Sequence, residues 1–219
     1  MKAFLKICLL CLVALAGNIA TSFLAAVLHL PCFFDSIFSV AITFYAGLVP
    51  GLVVAVLFNP IMTVLRCAFT GAAFSFYDCL YALCGMLIVL TTWIIARNKK
   101  EFFFSKTITA LYLLIIAFAS AFVSCFSASA LDTFILPLFQ ISTGFSSFDT
   151  FSQVLRQLKI GTFLSYLLPR IPLTVLDRLI CTFAGFGIYR LLVKVQNHRM
   201  QKMNQNPQAN EKSNEDQNA

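Results

Sequence analysis

Residues 4–30 read FLKICLLCLVALAGNIATSFLAAVLHL, an apolar run that only Lys6, Asn18 and His29 interrupt. A helix needs about 20 apolar residues to cross the hydrocarbon core of a bilayer, so this run is long enough for one crossing. Its start, with Lys2 and Lys6 before a leucine-rich stretch, also has the form of a secretory signal peptide. The apolar core of a signal peptide covers only about 7–15 residues. We therefore expect an uncleaved first membrane span, with cleavage as the alternative.

The whole chain has the composition of a membrane protein. Of its 219 residues, 59% are hydrophobic and 11% are charged, whereas soluble domains are about half apolar and about a quarter charged. A soluble fold of this size cannot bury so much apolar surface. The composition excludes a soluble enzyme, a disordered chain and a collagen-like fibre. It predicts an all-α integral membrane protein, with the lipid bilayer as its first partner.

Further apolar runs follow the first one. Phe33–Val49 and Leu52–Leu65 are short, and the turn signal Pro50-Gly51 between them predicts a helical hairpin with short or tilted legs. The remaining runs are Tyr77–Ala96, Ile108–Ala130 and Ile171–Val195. The sequence thus predicts a compact bundle of about six transmembrane helices over residues 1–195, and one helix more or fewer stays open before Arg66.

Two segments do not fit the pattern of a membrane span. The connection Leu131–Leu168 contains Phe151, Val154 and Leu158 at helical spacing, which predicts an amphipathic helix. That helix would lie in the membrane interface, cap a cavity or belong to an ordinary surface loop. From Gln196 onward the chain is rich in Gln, Asn and Lys without an apolar period. Residues 196–219 are therefore predicted to form a disordered cytoplasmic tail.

The basic residues predict the orientation in the membrane. The formal charge is +7, from 16 Lys and Arg against 9 Asp and Glu. The basic residues lie between apolar runs rather than on one patterned basic face, so we expect no nucleic-acid partner. With six spans and an inner N-terminus, most of them fall inside, including those of the short loop Arg97–Lys106. This predicts a multi-pass protein of the cell membrane with both termini in the cytoplasm.

The charged residues within or beside the apolar runs fall toward the opposite, outer face under this topology. They are Asp35, Arg66, Asp78, Asp132, Arg170, Asp177 and Arg178. A charge in hydrocarbon costs about 2.5–3.5 kcal/mol, so such residues face a cavity or one another. They predict a polar, outward-opening pocket with Asp177 deepest in it. Two interpretations stay open, because Asp177 and Arg178 would either bind a polar solute or pair inside the bundle.

Weaker signals add to the candidate site. Tyr77 and Tyr81 flank Asp78 and would form an aromatic wall, or simply mark the membrane interface. Asn59 and the proline after it interrupt the third run, as a packing kink or as a ligand contact. The candidate solute-binding residues are thus Asp35, Asn59, Tyr77, Asp78, Tyr81, Arg170, Asp177 and Arg178.

Motifs for energy conversion and catalysis are missing from the sequence. It contains no G-x-x-x-x-G-K-[ST], no H-E-x-x-H and no G-x-S-x-G. Most of its eight cysteines lie in apolar runs, where free Cys behaves as a small hydrophobic residue, and no second pair or nearby His completes a zinc site beside Cys8 and Cys11. We expect no enzymatic activity, no metal and no cofactor. A solute-binding membrane subunit is favoured over a self-contained pump.

Two stretches resemble the substrate-binding S components of energy-coupling-factor (ECF) transporters. Residues 30–37, LPCFFDSI, followed by Gly47, Pro50-Gly51 and Asn59, are similar to the second-helix region of that family. Residues 170–180, RIPLTVLDRLI, are similar to the start of its last helix. The residues that match these motifs are Asp35, Asn59, Arg170, Asp177 and Arg178. Ala16 and Ala20, with Gly17 beside them, form a small-residue face, which is similar to the face by which S components contact their membrane partner.

The resemblance implies a function as well as a fold. It implies that the chain captures a vitamin or related small water-soluble metabolite in the outer half of the bundle. A transmembrane T component and two cytoplasmic ATPases would then supply the energy for uptake. The long connection Leu131–Leu168 departs from the family pattern and leaves the identity of the solute open.

Other classes of membrane protein stay open beside this one. A sensory input domain or a structural membrane protein without transport activity is the main alternative, although the sequence shows no output domain. A small channel is disfavoured, because no helix carries a continuous polar stripe. A co-purifying pair of ATPases would support the importer, and a co-purifying kinase would support the sensor.

Overall fold

The computed structural model of the protein describes residues 2–28, 30, 32–71, 73–139 and 146–205. Within these ranges, all regular secondary structure is helical. The helices are α1 Lys2–Val27, α2 Ile37–Ala46, α3 Leu48–Thr70, α4 Phe76–Leu80, α5 Ala82–Ala96, α6 Lys99–Phe102, α7 Lys106–Phe139, α8 Ser146–Gln157 and α9 Thr162–Gln205.

Five helical stretches are long and apolar enough to cross a membrane. They are Phe4–Val27, Leu48–Phe69, Phe76–Ala96, Lys106–Ile135 and Thr162–His198. Large apolar side chains lie exposed along these stretches, such as Phe4 at 73%, Phe23 at 64% and Phe122 at 72%. Such faces suit lipid rather than water. The prediction of an all-helical, multi-pass membrane protein is therefore confirmed.

The prediction of six spanning helices is not confirmed, because the second one is short. Helix α2 has 10 residues, which rise about 15 Å, half of the hydrocarbon thickness. Residues 32–35 before it have no regular structure. The predicted turn at Pro50-Gly51 is also wrong: the chain reverses at Gly47, whose φ of 94° favours glycine. Pro50 lies in the first turn of α3, where its missing N–H costs no hydrogen bond.

The later boundaries also differ from the prediction. Helix α3 continues through Pro60 instead of breaking there, and α9 begins at Thr162, so that Pro169 and Pro172 lie inside it. Since α7 extends to Phe139, the predicted connection Leu131–Leu168 is shorter than expected. Helix α8 within it confirms the predicted helix around Phe151 and Val154.

The C-terminal boundary lies later than predicted. Helix α9 continues through Gln196 to Gln205, so the predicted tail does not begin at 196. A helix that leaves the membrane can continue on its own backbone hydrogen bonds, which the absence of an apolar period does not prevent. Residues 206–219 lie outside the described part of the chain, where the disordered tail stays a prediction.

The bundle has two chemically different ends. At one end, Phe44, Phe102, Phe186 and Tyr189 pack in mutual ring contacts with centroids 5.5–5.8 Å apart. We call this the basic end, because Lys6, Arg97, Lys106, Arg190 and Lys194 are exposed around it. Helices α2 and α9 both run toward it. Their other ends carry the paired buried charges, and we call that side the cluster end.

Candidate functional site

Arg178 is the centre of a first charged cluster, formed by Asp35, Ser36, Asp177 and Arg178. Its Nη1 donates to Ser36 Oγ at 2.5 Å, and its Nη2 donates to Asp35 Oδ1 at 2.7 Å. The same Nη2 also donates to the carboxylate of its chain neighbour Asp177. The cluster therefore joins α9 to the residues directly before α2. We call it the Asp177 cluster.

The second oxygen of Asp177 binds backbone rather than side chains. Its Oδ1 accepts the N–H groups of Phe33 at 2.9 Å and of Phe34 at 3.0 Å. Phe34 has a φ of 48°, a left-handed conformation that is unusual for a bulky residue. Its carbonyl accepts a hydrogen bond from Thr21 Oγ1 of α1 at 2.7 Å. Helices α1 and α9 thus hold the segment 32–36 from two sides.

Burial and charge differ sharply within the Asp177 cluster. Asp177 is fully buried and Arg178 is 2% exposed, whereas the Asp35 side chain is 31% exposed. Two carboxylates face one guanidinium, so the cluster carries one excess negative charge when all three groups are ionised. Burial and the charge of Asp177 raise the pKa of the nearby Cys32 thiol, and Arg178 offsets this only in part. Arg178 Nε is buried and has no hydrogen-bond partner in the described structure.

A second cluster surrounds Asp132, which lies in α7 and is fully buried. Its Oδ1 accepts the phenol hydroxyls of Tyr77 and Tyr81, and its Oδ2 accepts Arg170 Nη2. The two phenol oxygens are 2.7 Å apart, and the two rings meet edge to face with centroids 5.2 Å apart. The Arg170 guanidinium also lies 5.8 Å from the Tyr81 ring centroid. This Asp132 cluster is electrically neutral.

The two clusters are connected along one face of α9. Arg170 and Arg178 are separated by eight residues, which corresponds to about 12 Å of helix rise. Thr174 lies between them and is 5% exposed. The adjoining α5 and α7 contribute a hydrogen bond from Ser127 Oγ to Cys84 Sγ at 3.3 Å. A layer of small polar groups therefore lies between the two charged clusters.

The structure brings together six of the eight candidate solute-binding residues, in two groups. Asp35, Asp177 and Arg178 share the first cluster, and Tyr77, Tyr81 and Arg170 share the second. The sequence places Arg170 and Asp177 on one helix face, but they pair in different clusters. Arg170 reaches α7, whereas Asp177 binds the segment before α2.

Asp78 and Asn59 do not join either cluster in the described structure. Asp78 pairs with Arg66 at 3.0 Å, with side-chain exposures of 27% and 60%. Tyr77 and Tyr81, which were expected to form an aromatic wall beside Asp78, donate their hydroxyls to Asp132 instead. Asn59 is half-buried in α3, and its carbonyl accepts a hydrogen bond from Thr63 Oγ1 at 2.9 Å.

Three polar residues of the bundle are not among the eight candidate solute-binding residues. Asp132 follows the fifth apolar run and is one of the charges that predict the pocket, and the structure places it inside α7. Asn18 is fully buried in α1, where its Nδ2 donates to Ser39 Oγ at 2.8 Å and its Oδ1 accepts the Phe38 N–H at 2.8 Å. Ser36, the N-terminal flanking residue of α2, carries no signal in sequence beyond its place beside Asp35.

The small residues of α1 face two directions. Ala16 and Ala20 are exposed, on a face that also exposes Leu12 and Phe23. Gly17 instead faces the bundle, where an added Cβ would lie 2.7 Å from the Phe38 ring. The small face predicted for a partner helix therefore excludes Gly17.

Comparison with known proteins gives no relative for this chain. It matches no known protein family, and no significant match exists among curated proteins or solved structures. What the described residues establish is an all-helical, multi-pass membrane protein with two buried charged clusters at one end.

Proposed function

We propose that this protein is the substrate-binding S component of an ECF-type importer. In this role it captures a vitamin or a related small water-soluble metabolite from outside. A transmembrane T component and two cytoplasmic ATPases convert capture into uptake, and the chain itself performs no chemistry. Its place would be the cell membrane, with both termini in the cytoplasm.

The observation that supports this proposal most is the contact between the two stretches that resemble the family. Asp35 and Ser36 of the first stretch bind Arg178 of the second, across 143 and 142 residues of chain. Phe33 and Phe34 bind Asp177 in the same way. The two stretches that carry the resemblance thus share a single buried cluster, and this contact is the support that the structure lends to the proposal.

Asp35 is the point at which a solute would reach this cluster. It is the member of the cluster with substantial exposure, and its ion-pair partner Arg178 lies buried behind it. The exposed Ala16 and Ala20 face leaves room for a membrane partner to pack on α1.

The alternative is a sensory or structural membrane protein without transport activity. It is favoured by the pairing of Arg170 with Asp132 and of Arg178 with Asp35 and Asp177. Such pairs can hold a bundle together without any ligand. The two functions differ in what co-purifies from native membranes, since the importer requires ATPases and the sensor requires a kinase or another output protein.

Thermal melting of the purified protein with a panel of water-soluble vitamins tests solute capture. A solute that binds the folded form alone raises the melting temperature by mass action. Asp35→Asn should weaken the binding of that solute about tenfold or more, because a charged hydrogen-bond partner is lost. Asp78→Asn removes an equal charge from the exposed pair with Arg66 and should leave the affinity unchanged. Uptake by this chain alone, driven by an ion gradient, would refute the division of labour with ATPases.

A further inference from the structure

Helix α8 exposes a row of apolar side chains. Phe151, Val154 and Leu158 are 52%, 46% and 67% exposed, and their spacing places them on one side of a helix. A hydrogen bond from the Leu158 N–H to the Val154 carbonyl at 3.1 Å continues the helical course to Leu158. We call these three residues the apolar face of α8. An exposed apolar face of this kind marks a contact with lipid or with another molecule.

A different side of α8 contacts the bundle. The helix packs against α9, and Ser152 is 2% exposed. The Arg156 guanidinium carbon lies 4.6 Å from the centroid of the Tyr166 ring in α9. Ser152 and Arg156 are four residues apart and share one side of the helix, which lies roughly 150° from the apolar face at about 100° per residue. The apolar face therefore points away from the bundle and does not cap a cavity within it.

The third side of α8 is polar. Gln153 and Gln157 are both exposed, and they lie roughly 110° from the apolar face and roughly 100° from the side that contacts α9. The helix thus has one side for protein, one apolar side and one polar side. This is the pattern of a helix that lies flat in a membrane interface beside a bundle, with lipid below it and water above it.

The contacts of Tyr166 place α8 at the edge of the membrane. Tyr166 is buried together with Tyr77, and Ile135 packs against the same pair. Tyr77 is the second residue of the spanning stretch Phe76–Ala96, and Ile135 is the last residue of the spanning stretch in α7. Two spanning stretches therefore end at the height of Tyr166 on the side of the cluster end. Since Arg156 lies over Tyr166, α8 lies at this height as well.

We infer that α8 lies in the membrane interface at the cluster end, with its apolar face inserted among the upper acyl carbons of the surrounding phospholipids. Lipid is favoured as the occupant because it surrounds the bundle at this height without a further partner. Helices of this kind bury their apolar face about 5–10 Å into the boundary between headgroups and acyl chains. Helix α8 thus anchors the connection between α7 and α9 to the membrane surface. Its residues lie outside the candidate solute-binding set, so the anchor does not depend on the proposed function.

The single tryptophan of the chain, Trp93, makes fluorescence a direct test. Trp93→Phe removes it, and Phe151→Trp in that background places a reporter on the apolar face. Gln153→Trp is the matched control on the polar side. In phosphatidylcholine vesicles, we expect Phe151→Trp to lose most of its emission to lipid brominated on the upper acyl carbons, and less to lipid brominated near the chain ends. We expect iodide on both sides of the membrane to quench Gln153→Trp, and either brominated lipid to quench it little.

The other outcomes contradict the anchor. Iodide quenching of Phe151→Trp as strong as that of Gln153→Trp would show that the apolar face lies in water. Protection of Phe151→Trp from both iodide and brominated lipid would show that protein covers this face, which in the purified sample is a second copy of the chain. Leu158→Trp and Gln157→Trp form a second pair, which replaces the first if one of its members melts below the Trp93→Phe parent.

Discussion

Asp177 Oδ1 and the backbone nitrogen of Phe34 lie 3.0 Å apart, although 143 residues separate them in the chain. Together with the Phe33 N–H, this contact replaces the first turn that a longer second helix would have had. Two N–H groups that would be unpaired inside a membrane thus find a charged acceptor. A single side chain of α9 therefore accepts two of the backbone N–H groups of the non-helical segment 32–35.

Asp177→Asn should destabilise the folded protein by about 3 kcal/mol. The amide keeps one oxygen for the Phe33 and Phe34 N–H groups, but its NH₂ group then faces the donors of Arg178. Asp78→Asn is the control, because the pair of Asp78 with Arg66 is exposed and contributes less than about 1 kcal/mol. Melting in detergent, without added solute, measures both changes.

The same variant also tests the solute pocket. If Asp177 served the solute and not the fold, Asp177→Asn would melt like the parent protein and lose affinity for its solute. The contacts of Asp177 with Phe33, Phe34 and Arg178 indicate a role in the fold, so we expect Asp177→Asn to lower the melting temperature. A variant that is unchanged in both melting and affinity would contradict both roles.

Tyr77→Phe and Tyr81→Phe should each cost about 1–3 kcal/mol, because each removes a hydroxyl that donates to buried Asp132. The two losses should not add, since the hydroxyls share one carboxylate oxygen and contact each other at 2.7 Å. A double-mutant cycle should give a coupling of at least about 0.5 kcal/mol. Strict additivity in melting or chemical denaturation would show that the phenols act independently.

The apolar runs predicted where most membrane helices lie, because α1, α3, α4 together with α5, α7 and α9 each need a continuous apolar surface in lipid. They failed at α2, where the apolar run Phe33–Val49 contains both a non-helical segment and a short helix. Buried residues are apolar both in a helix and in a non-helical segment. The sequence pattern therefore cannot distinguish the non-helical segment from the short helix, because it does not show that Asp177 accepts the backbone N–H groups.

The sequence predicted most of the residues of the candidate site, but it did not predict which of them form ion pairs with one another. The sequence places Arg170 and Asp177 on one helix face, yet Arg170 pairs with Asp132, whereas Asp177 binds Arg178 and the backbone of Phe33 and Phe34. Which cation meets which carboxylate depends on the height at which α7 and the segment before α2 approach α9. Periodicity along one helix carries no information on that height.

Gly185→Ala should destabilise the bundle by about 1–3 kcal/mol. An added Cβ would lie 2.7 Å from the Ile37 carbonyl oxygen, and backbone at this contact between α9 and α2 cannot move like a side chain. Gly187→Ala, two residues later in the same helix, meets nothing within 4 Å. It should be neutral or gain about 0.5–1 kcal/mol from lower chain entropy. Equal melting of the two variants would contradict the close approach of α2 and α9.

Reporter fusions after Lys100 and after Asn210 should both report the cytoplasm. The orientation follows from the basic side chains at one end of the bundle, and the packing of Phe103 against Tyr189 places the loop after α5 at the same end as the later half of α9. The prediction also depends on α2, whose 10 residues must, with the segment before them, complete a full crossing. A fusion in the loop before α9, after Gly161, is the control and should report the outside.

If the fusions after Lys100 and Asn210 reported opposite sides, the chain would cross the membrane an odd number of times between them. The assignment of the C-terminal ends of α5 and α9 to the same side of the membrane would then be wrong. If both reported the outside, the bundle would be inverted, and the charged clusters would face the cytoplasm instead of an external solute.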